Sequence, residues 1–298
     1  MNLLVFGYGY TASAFIRAER KRFTDIAATV RTPEKAALLG RDGVRGLVFD
    51  AGVRDADPTG RVDPEILASI AQADALLVSI PPDAEGDPVL RAFGDRIGAS
   101  APLRWIGYLS TVGVYGDHGG EWVDEKTPLR PVSERSARRV HAEEAWLALG
   151  RRSGKPVHVF RLSGIYGPGQ NALVNLQART ARRLVKPGQV FNRIHVEDIA
   201  GVLAASLERP GGGIYNVTDD EPAPPQDVVT YAAGLLGVQP PPEIAFETAH
   251  LSPMARSFYG ENKRVANRRV RDELGYAFRY PTYREGMQAL AAAGEGRS

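Results

Sequence analysis

Asn2-Leu3-Leu4-Val5-Phe6-Gly7-Tyr8-Gly9-Tyr10-Thr11-Ala12 opens the chain and decides how its fold is read. Asn2 to Phe6 is a short apolar run with the pattern of a buried strand. A Gly-x-Gly-x-x-Ala turn follows at once, and Ser13 to Ala18 then suits a helix. Each small residue has a physical reason. Gly7 permits the tight turn, Gly9 lets the backbone approach a pyrophosphate, and Ala12 lets the helix pack against the strand. The helix amino terminus, with Tyr10 and Thr11 in its first turn, offers free N–H groups and a positive dipole end to phosphates. The alternative, an ordinary glycine turn, is disfavoured by the placement between strand and helix.

The next strand candidate, Ile26 to Val30, runs into Arg31-Thr32-Pro33-Glu34-Lys35. A site specific for NAD wants an acid about 20 positions after the glycines, to hold the ribose 2′-hydroxyl. Arg31 stands there instead, with Thr32 and Lys35 beside it. A guanidinium matches a phosphate, so NADP is the expected cofactor and NAD the second choice; a solvated surface arginine is the alternative reading. Asp50, after Leu47-Val48-Phe49, can accept from an adenine amino group or cap the next turn. Ser79, near the end of the apolar run Ala75 to Ile80, completes the expected cofactor set.

Strand candidates end near Phe6, Val30, Phe49, Ile80, Leu109 and Phe160, with helical patterns such as Pro64–Ala71 and Pro88–Gly98 between them. Nearly continuous apolar strands signal a parallel sheet covered on both faces. Their alternation with helices predicts an α/β fold, a Rossmann-type doubly wound parallel sheet with a smaller carboxy-terminal substrate lobe. The expected division is a dinucleotide-binding core over 1–167, to which 190–217 returns, and a substrate lobe over 168–189 and 218–298. The tail from Gly294 to Ser298 is expected to fray.

The chain has 298 residues, enough for a large core, and no cysteine, which excludes disulfides, thiolate nucleophiles and cysteine metal sites. That suits the cytoplasm, the expected location. His118, His141, His158, His195 and His250 lack metal-ligand spacing, so no metal is expected. A net charge of +2 is too small to argue for nucleic acid. No apolar run approaches the roughly 20 residues of a membrane span, and a strand at the amino terminus leads us to expect no signal peptide before it. Basic clusters at Arg179, Arg182 and Arg183, and from Lys263 to Arg271, read first as solvated helix faces, with a minority available to an anionic substrate.

Several stretches together carry a resemblance: Gly7–Ala12, Tyr108–Gly116, Arg161–Gly169, Arg193–Ala200 and Tyr215–Asp219. In order and spacing the chain resembles the extended short-chain dehydrogenase/reductase superfamily, in its NAD-dependent epimerase/dehydratase branch. The resemblance implies a Rossmann-type core, a carboxy-terminal substrate lobe and often a homodimer. It puts Thr111 in the place of the catalytic serine or threonine that hydrogen-bonds a substrate oxygen; without the motif, Thr111 reads as a strand-end hydroxyl bonding its own backbone. It puts Arg135 and Arg139 where the family carries its catalytic tyrosine and lysine. Arg139 can bind ribose hydroxyls as the lysine does. Arg135 cannot be the acid, because a guanidinium does not give up its proton near neutral pH.

Two phenols are candidates to replace the tyrosine: Tyr115, four residues past Thr111, and Tyr166, on the loop after the sixth strand. Either needs a nearby cation to lower its pKa, and either could instead be a half-buried packing tyrosine. His195 reads as structural before a helix start, Asp198 as a cap or support for that helix, and His118 as part of a flexible loop over the site. Asp124-Glu125 reads as an exposed turn before it reads as a carboxylate pair. Two functions remain open. One is an NAD(P)-dependent oxidoreductase or epimerase/dehydratase acting on a carbonyl or alcohol of a small substrate, anionic or nucleotide-sugar-like. The other is a non-catalytic NADP(H) binder that senses redox state or regulates. The missing tyrosine favours the second, and the retained Thr111 favours the first.

Overall fold

In chain order the strands are β1 (Asn2–Phe6), β2 (Asp25–Val30), β3 (Arg45–Val48), β4 (Ala75–Val78), β5 (Trp105–Thr111), β6 (Trp122–Val123), β7 (Val157–Leu162), β8 (Gly164–Tyr166), β9 (Arg183–Val185), β10 (Arg193–His195), β11 (Gly213–Val217), β12 (Glu243–Ala245) and β13 (Arg264–Val265). The helices are α1 (Tyr10–Glu19), α2 (Pro33–Leu39), α3 (Pro64–Gln72), α4 (Pro88–Ala99), α5 (Glu134–Ser153), α6 (Ala172–Gln177), α7 (Val196–Leu207), α8 (Pro225–Leu236), α9 (Pro253–Phe258), α10 (Arg268–Leu274) and α11 (Tyr283–Ala292). These come from a computed structural model that describes residues 1–50, 64–209 and 211–297.

Seven strands form one sheet in the order β11-β7-β5-β4-β1-β2-β3. The β1–β2, β1–β4, β2–β3 and β4–β5 pairs are parallel. The chain winds outward one way through β2 and β3 and the other way from β4, so β1 and β4 flank a topological switch point. Ligands of such sheets bind at the carboxyl ends of the strands there. Local chemistry starts the helices around it. Asp87 caps α4 by accepting from the Val89 and Leu90 amides, with Pro88 at the first helical position. Phe6, Val78 and Tyr108 from the sheet pack with Phe93 of α4 and Trp146 of α5 in a dry core.

Packing divides the chain into two units. The first comprises Met1–Ser110, Ala137–Arg161 and Ala200–Tyr215, and the second Thr111–Ser136, Leu162–Ile199 and Asn216–Ser298. Thr111–Ser136 and Leu162–Gly167 thus pack with the second unit rather than with the expected 1–167 core. In the second unit Tyr166, Leu173, Val228, Tyr283 and Met287 form a core of their own. Short parallel pairs, β8–β10, β9–β12 and β6–β13, join its distant segments. The tail is better held than a fraying end: Glu295 Oε2 accepts from Gly169 N at 3.0 Å and Asn171 Nδ2 at 2.9 Å. Ser298 itself lies outside the described residues.

Candidate functional site

The glycine turn lies directly after β1, at the switch point. Gly7 has φ +97°, and a Cβ there would come within 2.6 Å of Ile80 Cγ2. Left-handed backbone and close packing both select glycine. A Cβ on Gly9 would meet no atom within 4 Å. The space above Gly9 is therefore open to a ligand, and the missing side chain is not a packing need. Thr29 ties the turn to β2 through its hydroxyl, which accepts from Gly7 N at 3.0 Å.

A cleft of about 540 Å³ opens over this turn, lined by residues that include Gly7, Gly9, Arg31, Lys35, Asp50 and Ser79. Arg31 and Lys35 are exposed. Other expected cofactor residues lie elsewhere. The Thr11 and Ala12 side chains are buried in packing, Tyr10 does not line the cleft, and what α1 offers a phosphate is its first-turn amides. Thr32 caps α2 by accepting from Lys35 N at 3.4 Å. Tyr8, not singled out from the sequence, lines the cleft. Its hydroxyl donates to Asp42 at 3.0 Å, and burial together with that carboxylate pushes the phenol up to about 12.

Arg139 is used differently from the resemblance. Its Nη1 donates to the Tyr108 hydroxyl at 3.1 Å and to Leu109 O at 2.5 Å. It braces the end of β5 and does not line the nucleotide cleft. A buried pair holds the same strand end. Arg161 Nη2 lies 2.7 Å from Glu143 Oε2, and Glu143 Oε1 accepts from Ser110 Oγ at 2.5 Å. Sequence reading missed this group, since its members sit on β5, α5 and β7.

The second unit contains a larger cavity, about 860 Å³, with Thr111, Ser133, Arg135, Ser136, Tyr166 and Lys263 in its lining. Thr111 Oγ1 accepts from Gly113 N at 3.1 Å, which leaves its proton available to a ligand. Ser133 Oγ donates to Ser136 Oγ at 2.9 Å. A Cβ built on Gly113 would lie 2.9 Å from Ser136 Oγ and 3.4 Å from Thr111 Oγ1, so both hydroxyls face one small volume.

Neither candidate phenol has the environment of an acid. Tyr115 is fully buried, and its hydroxyl donates to Asn216 Oδ1 at 2.7 Å. It does not line the cavity. Tyr166 does line it, yet its hydroxyl is buried without a partner. A Cβ on Gly286 would collide with that hydroxyl. Burial first, then Asp219 and Asp198, pushes the Tyr166 phenol above its ordinary value, the opposite of what an activated phenol needs.

The remaining candidates are structural. His195 is buried edge-on to Tyr166, takes the Glu197 amide on Nδ1 at 3.2 Å, and is held neutral by burial down to about 4. Asp198 does not cap its own helix. It accepts from the Tyr276 hydroxyl at 2.8 Å and from the Arg279 and Tyr280 amides at 2.6 and 3.0 Å. The loop around His118, expected to be flexible, is tied by its amides to Asn262 O. Asp124 accepts within its own turn, whereas Glu125 reaches Asn216 N at 2.8 Å. The basic clusters are largely paired, as in Arg183–Glu243, Arg269–Glu273 and Arg271–Asp220. Among the described residues no helix is long and apolar enough to cross a membrane, and no cluster of metal-ligating side chains occurs.

Residues 99–218 match the sequence model of the NAD dependent epimerase/dehydratase family. The chain is 30% identical to protein YeeZ of Escherichia coli K12 over 259 residues, covering 84% of this chain and 87% of that one. It belongs to the NAD-dependent epimerase/dehydratase family. It is also 27% identical to a Streptomyces protein named 3-diazoavenalumate denitrifying reductase, over 96% of this chain and 99% of the other. A solved structure of a functionally unknown conserved protein from Silicibacter pomeroyi DSS superposes with a TM-score of 0.86, at 49% identity, over 99% of both chains.

Proposed function

We propose that the protein is a reductase that uses a nicotinamide dinucleotide, NADPH in preference to NADH, to reduce a carbonyl group held in the cavity of the second unit. The cofactor reading rests on the cleft after β1: open space above Gly9, the first-turn amides of α1, and two exposed cations, Arg31 and Lys35, where a 2′-phosphate would lie. NADPH when bound supplies the hydride. This chain's residues hold and polarise the substrate.

Thr111 is the observation that carries the catalytic half. Its oxygen accepts from Gly113 N, which leaves its proton free to donate to a carbonyl oxygen, where charge develops as the carbonyl is reduced. The environments of Tyr115 and Tyr166 argue against a phenolic acid, and we assign the proton that completes the alcohol to water. The family membership and the relative named a reductase support redox chemistry over a purely regulatory role.

Steady-state NADPH oxidation against a panel of aldehydes and ketones tests this. Turnover is expected, with Tyr115→Phe and Tyr166→Phe retaining the rate to within about twofold. A loss near a hundredfold at either tyrosine would restore a phenol as the acid. NADPH binding with no turnover of any carbonyl would instead favour the non-catalytic NADP(H)-binding reading.

A further inference from the structure

The cavity of the second unit holds three cations, and they are not equivalent. Lys263 is buried, and its Nζ donates to Gly116 O at 2.8 Å and to Glu261 Oε2 at 2.5 Å. Arg193 spends Nη1 on Phe191 O and Ala223 O, at 3.0 and 3.1 Å. Lys263 is thus ion-paired, and Arg193 is anchored to two backbone carbonyls through one nitrogen. Arg135 is exposed and makes no hydrogen bond or ion pair with another described residue. Its guanidinium carbon stands 5.3 Å from the centroid of the Phe258 ring.

That ring is itself unusual. Phe258 is 47% exposed and lines the cavity. Tyr259 and Phe191 continue the aromatic wall, edge to face with centroids 5.2 Å apart. Val190, Val228 and Met287 add apolar surface. An exposed aromatic at the wall of a cavity has apolar area left to bury on a ligand. A guanidinium over an aromatic face makes a cation–π contact that leaves its N–H donors, in the fork that matches a carboxylate, free for a ligand.

We propose that the substrate is an aromatic carboxylate, whose carboxylate is bound by Arg135 and whose ring lies against Phe258, Tyr259 and Phe191. The residue standing at the family's tyrosine position thus becomes the specificity determinant. One uncommitted guanidinium satisfies one carboxylate, by a two-point charge-assisted contact. A nucleoside diphosphate brings at least two negative charges, whereas Lys263 is already ion-paired and Arg193 is anchored to backbone carbonyls. This inference rests on the reading of the cavity as the reductase's substrate site, but it is tested without turnover.

Calorimetric titration of the full chain with cinnamate, cinnamamide and UDP-glucose, each with and without NADP⁺, tests the proposal. Cinnamate is expected to bind, and cinnamamide about thirtyfold more weakly, because it lacks the charge-assisted contact. Arg135→Gln should weaken cinnamate by about the same factor and leave cinnamamide unchanged. Phe258→Leu should weaken acid and amide alike, by about fivefold. Thermal unfolding of Arg135→Gln should match the parent, since the side chain is exposed.

Equal affinity for acid and amide would overturn the proposal. So would cinnamate binding indifferent to Arg135→Gln, no cinnamate binding in either condition, or tighter binding of UDP-glucose with the same dependence on Arg135. NADPH titration of the same preparations separates the two readings. Cinnamate binding without NADPH binding removes the cofactor reading and leaves this one standing; NADPH binding without cinnamate binding does the reverse.

Discussion

The cleft after β1 and the cavity of the second unit are built in opposite ways. The cleft draws on short runs at strand ends: Gly7–Gly9 after β1, Thr29–Arg31 with Lys35 around the end of β2, Phe49–Asp50 after β3 and Ser79–Asp83 after β4. Parallel strands bring those ends together whatever the side chains are. The cavity draws on residues as far apart as Thr111, Arg135, Phe191, Phe258 and Met287, and its shape depends on how distant segments pack. The cleft is therefore set by where parallel strands end, whereas the cavity is set by packing between segments far apart in the chain. Arg135 and Arg139 show the same contrast one helical turn apart, the first exposed at the cavity and the second braced beneath β5.

The largest expected effect breaks the cleft alone. Gly9→Val should abolish NADPH binding, because its side chain would occupy the open space above the turn, while folding is kept since no protein atom lies within 4 Å of the added Cβ. Nucleotide fluorescence together with a thermal melt reads both. Parental affinity in a folded variant would place the phosphates elsewhere.

Acid stability compares the two units directly. Burial pushes His158 in the first unit and His195 in the second down to about 4. Each is neutral when folded and protonates near 6.5 when unfolded. Each therefore contributes stability that is complete above pH 6.5 and is lost as pH falls toward 4. The drop across that window should be about 3 kcal/mol for each histidine. His158→Phe should shrink it by that amount, as read by urea unfolding at pH 7.5 and 4.5. An unchanged drop would mean that His158 already protonates in the folded protein.

The cavity's chemistry is the next target. Thr111→Val should lower the catalytic rate about a hundredfold with NADPH affinity unchanged. Full activity would show the hydroxyl to be only a cap for Gly113. The smallest effect sharpens the cleft: Arg31→Asp should reduce or reverse the preference for NADPH over NADH, by about tenfold in the affinity ratio. Equal affinities in the parent protein would sink the assignment of Arg31 to a 2′-phosphate.

Much of the first unit was legible residue by residue. The run Asn2–Phe6 is β1 as read, and the helix read from Pro88 begins there because Asp87 caps it. The strand read as ending near Leu109 continues to Thr111. The three-residue pairs β8–β10 and β9–β12 were not legible, because segments so short carry no period. Glu143 looked like one more acid on a charged helix, yet it is buried against Arg161 and Ser110.

By itself the sequence determined the alternation of strands and helices in the first half of the chain, the glycine turn and the cation after β2, because each is written in consecutive residues whose spacing the backbone converts directly into position. Only the tertiary structure decided what each functional side chain is free to do. Tyr115 is consumed by Asn216, Arg139 by Tyr108 and Leu109, and Lys263 by Glu261, while Arg135 makes no hydrogen bond or ion pair with another described residue. The physical reason is that most polar groups buried on folding take a partner, and the partner comes from wherever packing brings one. For these residues it came from segments near and far along the chain, at distances that no local pattern records.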